Sequence, residues 1–366
     1  MLLLGALLVC LIGAEIFLRL AGFQVGSPDP EFFAFSDTLG WKGKPNFKGD
    51  LIRGQERIHY EMNSWGFRDD PPAPASSSAG KRRLMLLGDS YAMGYEIPKE
   101  DRVGELLEKA DSSFLAYNFG IMGYSTDQEF LVLKKFGPEV KPDIVLLFFC
   151  VNDIYYSEQN TANKHAKPLF RLQNDGSLTL TNVPLPEPSQ PSPLLKWTRS
   201  HVAVARVVSD AVNRFTEDFE RKSDRTLGAG ARSKSVAERG GKEDKLLWLS
   251  TSDVTDLTYY LLRDLRAESR RLGAQMVVFM CPSNKCWTET RDDDPEGIKL
   301  AIQWCNKLEI PCVDLFPVFR RDFLTHQENL YIYDRMHWNE RGNRIAAEVA
   351  LETLRNLMTP MSAPSN

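Results

Sequence analysis

Short apolar runs alternate with helix-period stretches through most of this chain. Leu84–Leu87, Phe114–Phe119 and Asp143–Cys150 read as strands, and Arg102–Ala110 and Thr126–Phe136 as the helices between them. The run Ile144-Val145-Leu146-Leu147-Phe148-Phe149 is continuous, as a strand buried on both faces requires, and Pro142 and Asn152 flank it. The alternation then pauses. Phe170–Leu180, with the turn Asn174-Asp175-Gly176, predicts a hairpin, Pro184–Pro193 is too proline-rich for regular structure, and His201–Phe219 is helix-periodic. Ser223–Lys245 is polar and Gly-rich and predicts a loop. The pattern resumes with a helix near Asp253–Leu272, a strand at Gln275–Met280 and a helix after Asp294-Pro295. A short strand over Pro311–Leu315 and a final helix from Asn339 to Leu357 end it. Such alternation predicts an α/β domain with a mostly parallel sheet, helices on both faces and the interruption as a cap at the carboxyl edge.

The ends differ from the middle. Leu2 to Ala14 carries no charge, and the apolar stretch continues to Phe23 past Glu15 and Arg19, which are spaced to pair on one helical face. An uncleaved signal-anchor is the preferred reading, with a cleaved signal or a buried core helix as alternatives. The organisation that follows is an anchor over 1–23, an aromatic-rich arm and linker over 24–80, and a main domain over 81–358. An insertion occupies about 154–250, and a tail covers 359–366.

Composition narrows the chemistry. The 366 residues carry a formal net charge of −4 and no long basic stripe, which argues against a nucleic-acid partner. Cys10 and Cys150 read as unpaired small apolar residues. Cys281, Cys286, Cys305 and Cys312 are compatible either with reduced thiols or with one disulfide. No cysteine and histidine spacing forms a zinc site. Asp292-Asp293-Asp294 reads as the acidic start of a helix, with Asp294 as N-cap, so neither metal nor cofactor is expected.

Gly88-Asp89-Ser90 directly follows an apolar strand, where a tight turn lifts a hydroxyl to the carboxyl end of a parallel sheet. Acyl transfer through a serine needs a base, an orienter for it and donors for the oxyanion. His337 is the candidate base and Asp334, three residues earlier, its orienter. Gly123 in the loop after the second strand and Asn152 after the third are candidate oxyanion donors.

These blocks resemble the SGNH hydrolases, also called the GDSL esterase/lipase family. Gly88-Asp89-Ser90 is similar to the first block, Gly123 to the second, Asn152 with Asp153 to the third, and Asp334-x-x-His337 to the fifth. The resemblance runs from about Lys81 to Met358. It implies a flavodoxin-like three-layer α/β/α sandwich in which Ser90 is the nucleophile, His337 the base, Asp334 its orienter, and Ser90, Gly123 and Asn152 the oxyanion hole. Two departures stand out: Tyr91 replaces the leucine of the motif, at little expected consequence, and Cys150 stands where glycine is usual. The N-terminal segment and Asn63-Ser64-x-Gly66-Phe67-Arg68 also look like membrane-tethered bacterial members, which implies an extracytoplasmic domain held to the membrane.

The activity so implied is cleavage of short acyl esters, acetyl groups on carbohydrate above all. One alternative is an O-acyltransferase modifying an exported polysaccharide. Another is a catalytically silent glycan-binding module using Trp41, Trp65 and Phe67, which otherwise pack the arm on the core. Tyr155-Tyr156 and the insertion are candidates for shaping selectivity.

Overall fold

The computed structural model describes residues 2–21, 32–53, 56–70, 80–162, 165–188, 257–282, 296–332 and 336–358, with isolated positions between 192 and 208. The chain divides into two compact units.

The smaller unit comprises Met1–Glu31 and Pro188–Lys242. Its helix α1 (Leu2–Leu20) has its two charges tied down: Arg19 pairs with Glu15 at 2.8 Å, and Glu15 accepts the backbone N–H groups of Ala203 and Val204. Among the described residues, no helix is long and apolar enough to cross a membrane, so the transmembrane anchor expected over 1–23 is not supported. The uncharged run Leu2 to Ala14 is shorter than the roughly 20 apolar residues that a spanning helix needs. The loop expected over Ser223–Lys245 and the Asp294 cap lie outside the described residues, as does Cys286.

The larger unit comprises Phe32–Glu187 and Glu243–Asn366. It opens with two antiparallel pairs, β1 (Phe33–Ser36) with β2 (Gly40–Gly43), and β3 (Lys48–Arg53) with β4 (Glu56–Glu61). Next come β5 (Arg82–Gly88), the short helix α2 (Ser90–Met93), α3 (Val103–Ala110), β6 (Phe114–Asn118), α4 (Thr126–Val140), β7 (Ile144–Phe149) and α5 (Val151–Ser157). The insertion contributes the small pair β8 (Thr161–Ala162) and β9 (His165–Ala166). The predicted hairpin follows as β10 (Leu169–Leu172) and β11 (Leu178–Thr181). It packs Phe170 on Phe130 of α4. The remaining elements are α6 (Leu257–Arg271), β12 (Gln275–Met280), α7 (Glu296–Lys307), β13 (Cys312–Asp314), α8 (Phe316–His326) and α9 (Glu340–Met358). Residue Gly176 at the hairpin turn accepts from Arg263 of α6 at 2.9 Å.

The central sheet has the order β13-β12-β7-β5-β6, and every pairing in it is parallel. Taken in chain order, that is 2-1-3-4-5, the flavodoxin-like arrangement, with helices α3 and α9 packed together and α4 with α6. In this topology the winding reverses between β5 and β7, and the crevice at that switch point is where such sheets place their chemistry. All six residues of β7 are buried, so its side chains fill both flanking layers. The β1–β2 pair is not a detached arm: Leu39 and Trp41, with Phe67, belong to the same apolar core as the sheet, while Leu51, Ile58 and Tyr60 of β3 and β4 form a second cluster with Met93 and Tyr95.

Candidate active site

Three successive strands end side by side, in the order β6-β5-β7, and each delivers one candidate residue: Gly123 after β6, Ser90 after β5, Asn152 after β7. Ser90 is the first residue of α2. Its predecessor Asp89 is the N-cap, and Asp89 Oδ1 accepts the Tyr91 N–H at 3.0 Å, which fixes the turn. Asn152 Nδ2 donates to Asp89 Oδ2 at 3.1 Å, so the cap carboxylate also orients the carboxamide of the third block. Burial raises the Asp89 carboxyl above its ordinary range, against the hydrogen bonds from the Tyr91 N–H and Asn152.

His337 reaches this turn from the far end of the chain. Its Nε2 lies 2.8 Å from Ser90 Oγ, the distance of a formed hydrogen bond. With the proton on Nδ1, Nε2 accepts from the serine hydroxyl, as a general base must. Residues 333–335 precede it, so the expected orienter Asp334 lies outside the described residues. Trp338 Nε1 donates to Pro282 O at 2.9 Å, and Ile332 N–H donates to His337 O at 2.9 Å.

The oxyanion side has two glycines with different reasons to be glycine. At Gly120 a Cβ would stand 2.3 Å from the Met93 nitrogen, so the chain passes directly over α2. At Gly123 φ is 76°, in the left-handed region where a side chain is strained. Asn118 binds the two segments together: Nδ2 donates to Ala92 O at 2.6 Å, and Oδ1 accepts the Gly120 N–H at 2.9 Å. The departure at Cys150 is absorbed locally. Its N–H donates to Asp153 Oδ2 at 2.7 Å, and its thiol donates to Asp89 at 3.7 Å. Cys150, Cys281, Cys305 and Cys312 are free thiols, in line with the reduced reading. Beside Asp89, burial also raises the carboxyls of Glu129 and Asp153 well above the ordinary range, which favours their protonated forms. Asp127 is instead paired with the buried Lys167.

Sequence reasoning missed how the segment before the main domain braces this rim. Trp41 Nε1 donates to Met122 O at 3.0 Å, and Tyr124 Oη donates to Trp41 O at 2.5 Å, so Trp41 holds Gly123 from both sides. Arg68 is buried over the Tyr60 ring and donates to Gly94 O and Ile97 O, in the turn that follows α2. Arg102, fully buried, donates to Arg68 O and pairs with Glu105. Asp69 accepts the Asn118 N–H at 2.9 Å. Trp41 and Phe67 are 4% and 2% exposed, and Trp65 stacks on Phe119. Trp41 and Phe67 therefore pack the arm and present no glycan surface, while half-buried Trp65 packs against Phe119 and Phe136. The Asn63-to-Arg68 motif was the available signal, although its carbonyl partners are not written in sequence.

The parallel sheet, its order and the serine–imidazole contact define the class of an SGNH-type ester hydrolase. A family model for the GDSL-like lipase/acylhydrolase family matches residues 86–345, and the chain belongs to that family. Among solved structures, it is similar to a member of the lipolytic protein G-D-S-L family from Veillonella parvula DSM 2008, at 13% identity and a TM-score of 0.41. That match covers 75% of this chain and 98% of the other. The acetyl xylan esterase AlAXEase matches at 12% identity and a TM-score of 0.41, over 74% and 99% of the two chains. The lipase/acylhydrolase from Enterococcus faecalis matches at 13% identity and a TM-score of 0.38, over 77% and 100%. Comparison with curated protein sequences gives no match.

Proposed function

We propose that this ester hydrolase is a serine esterase that cleaves short acyl esters, acetyl groups on carbohydrate above all, through an acyl-enzyme on Ser90. The observation that carries the reading is the 2.8 Å contact between His337 Nε2 and Ser90 Oγ. Nε2 takes the hydroxyl proton as Oγ attacks the ester carbonyl. The oxyanion is held by the Ser90 and Gly123 N–H groups and the Asn152 carboxamide, whose orientation is supported by its bond to Asp89. The tetrahedral adduct collapses, and the imidazolium returns its proton to the departing alkoxide. A water then gives a proton to Nε2 and attacks the acyl carbon, and Oγ leaves with that proton. Asp334 is assigned as the carboxylate that holds Nδ1–H, on its spacing from His337.

Carbohydrate as the alcohol part is tested with a panel of acetylated oligosaccharides. The central test is Ser90→Ala. Turnover of p-nitrophenyl acetate and labelling by a fluorophosphonate should both fall by about 10³-fold or more. Turnover equal to wild type overturns the reading. Extracytoplasmic location is a second, separate proposal, supported by the uncharged run Leu2 to Ala14. A reporter active only outside the cytoplasm, fused after residue 366, should be active, and an inactive fusion refutes it.

A further inference from the structure

The residue after the nucleophile is the one place where the first motif departs from its family pattern, and the structure gives that departure a partner. Tyr91 Oη donates to the backbone carbonyl of Met336 at 2.6 Å, across 245 residues of sequence. Met336 immediately precedes His337. The Tyr91 ring also lies 5.7 Å from the His337 ring and meets Trp338 edge-on at 4.8 Å. On the other side, Tyr95 meets the imidazole edge-on at 5.1 Å. Tyr91 is 9% exposed, so its hydroxyl is a buried donor whose partner matters. A leucine at this position could fill space between α2 and the loop but could not hold a carbonyl.

We propose that Tyr91 is a positioning residue that ties the base-bearing loop to the nucleophile turn, so that His337 Nε2 stays aligned on Ser90 Oγ. The inference rests on the reading of Ser90 and His337 given above. It assigns to the tyrosine hydroxyl the work of fixing the residue before His337 against α2. A base displaced by a fraction of an ångström loses proton-transfer efficiency without losing substrate binding, so the effect belongs in kcat and not in KM.

Tyr91→Phe keeps the ring and removes the bond. We expect kcat on p-nitrophenyl acetate to fall about tenfold, with KM and the melting temperature close to wild type. The rate of Ser90 phosphonylation by a fluorophosphonate should fall by the same factor, because that reaction also needs the aligned imidazole. A merely structural tyrosine would lower the melting temperature and leave both rates of the folded protein unchanged, and that outcome overturns the proposal. If Tyr91→Phe does not fold, Tyr91→Leu, the residue of the related motif, gives the same readouts. Ser90→Ala is run in parallel. Full activity there refutes the esterase reading itself, whereas an inactive Ser90→Ala beside a fully active Tyr91→Phe refutes only the role of Tyr91.

Discussion

Around Ser90, segments distant in sequence bind one another through backbone groups and the Asp89 cap, whereas the loop that brings in His337 meets the nucleophile turn through the Tyr91 hydroxyl on Met336 O. On the nucleophile side, Asp89 caps α2 and orients Asn152. Asn118 joins α2 to the Gly120 loop, Trp41 grips the Gly123 turn, and Arg68 holds the turn after α2. On the base side, Tyr91 holds Met336, Trp338 and Tyr331 donate to Pro282 O, Asn343 donates to Trp338 O, and the Ile332 and Asn339 N–H groups donate to His337 O and Leu330 O. Losing a rim bond away from the reacting atoms appears mainly as lost stability. Losing the bond that joins α2 to the residue before His337 leaves the fold standing and moves the reacting atoms. Variants on the two sides should therefore separate by readout, with melting temperature for the rim and kcat for the base loop.

The largest effect that would sharpen this contrast is an exception to it. Asn152 lies on the rim but is assigned to touch the oxyanion. Asn152→Ala should thus lower kcat by about 10²- to 10³-fold, about 3 to 4 kcal/mol of transition-state stabilisation, in steady-state kinetics on p-nitrophenyl acetate. A loss of less than fivefold removes Asn152 from the oxyanion hole. Next comes Arg68→Ala, which strands the buried carbonyls of Gly94 and Ile97 and empties the space over Tyr60. Urea unfolding should show a loss of about 3 kcal/mol, with the kcat of the folded fraction changed by less than about threefold. A tenfold fall in kcat without lost stability would break the contrast.

Much of the main domain was legible because its strands are apolar on both faces, and little but a buried parallel strand fits Ile144 to Phe149. Ser90 and His337 were legible because the motif fixes each against the end of a strand or the start of a helix. Helix α8 was not anticipated: its apolar residues are interleaved with Pro317 and with Arg320, Arg321 and Asp322, and only Phe316 and Phe319 are buried. The aromatics of the arm were ambiguous for another reason. Trp41 and Phe67 look alike in sequence whether they await a sugar or fill a core, and only their burial decides it. Tyr91 was the hardest, since the importance of a hydroxyl depends on a carbonyl 245 positions away.

A smaller effect probes the rim through pH. Burial pushes the Asp69 carboxyl up from 3.8 to about 7, although Arg102 and the Asn118 N–H oppose the shift. Below pH 3.8 both states are protonated and the contribution to stability is complete. Between 3.8 and 7 the unfolded chain releases the proton that the folded one keeps, so stability falls as pH rises, by at most about 1.4 kcal/mol per pH unit. Above 7 the loss is complete. Asp69→Asn removes this slope, and the stability difference between variant and wild type should shift towards the variant from pH 4 to 7 in urea titrations. A difference independent of pH means that Asp69 is ionised throughout.

The smallest effect tests the rim's redundancy most directly. Tyr124→Phe removes one hydroxyl, the donor to Trp41 O, and leaves Trp41 Nε1 still holding Met122 on the other side of Gly123. If the turn is fastened from both sides, the change should lower stability by about 1 kcal/mol and kcat by less than threefold. Calorimetry and steady-state kinetics on the same preparation read both numbers. A kcat fall as large as that expected for Tyr91→Phe, with stability intact, would mean that alignment at the Gly123 turn depends on a single hydroxyl, as is proposed for the base loop.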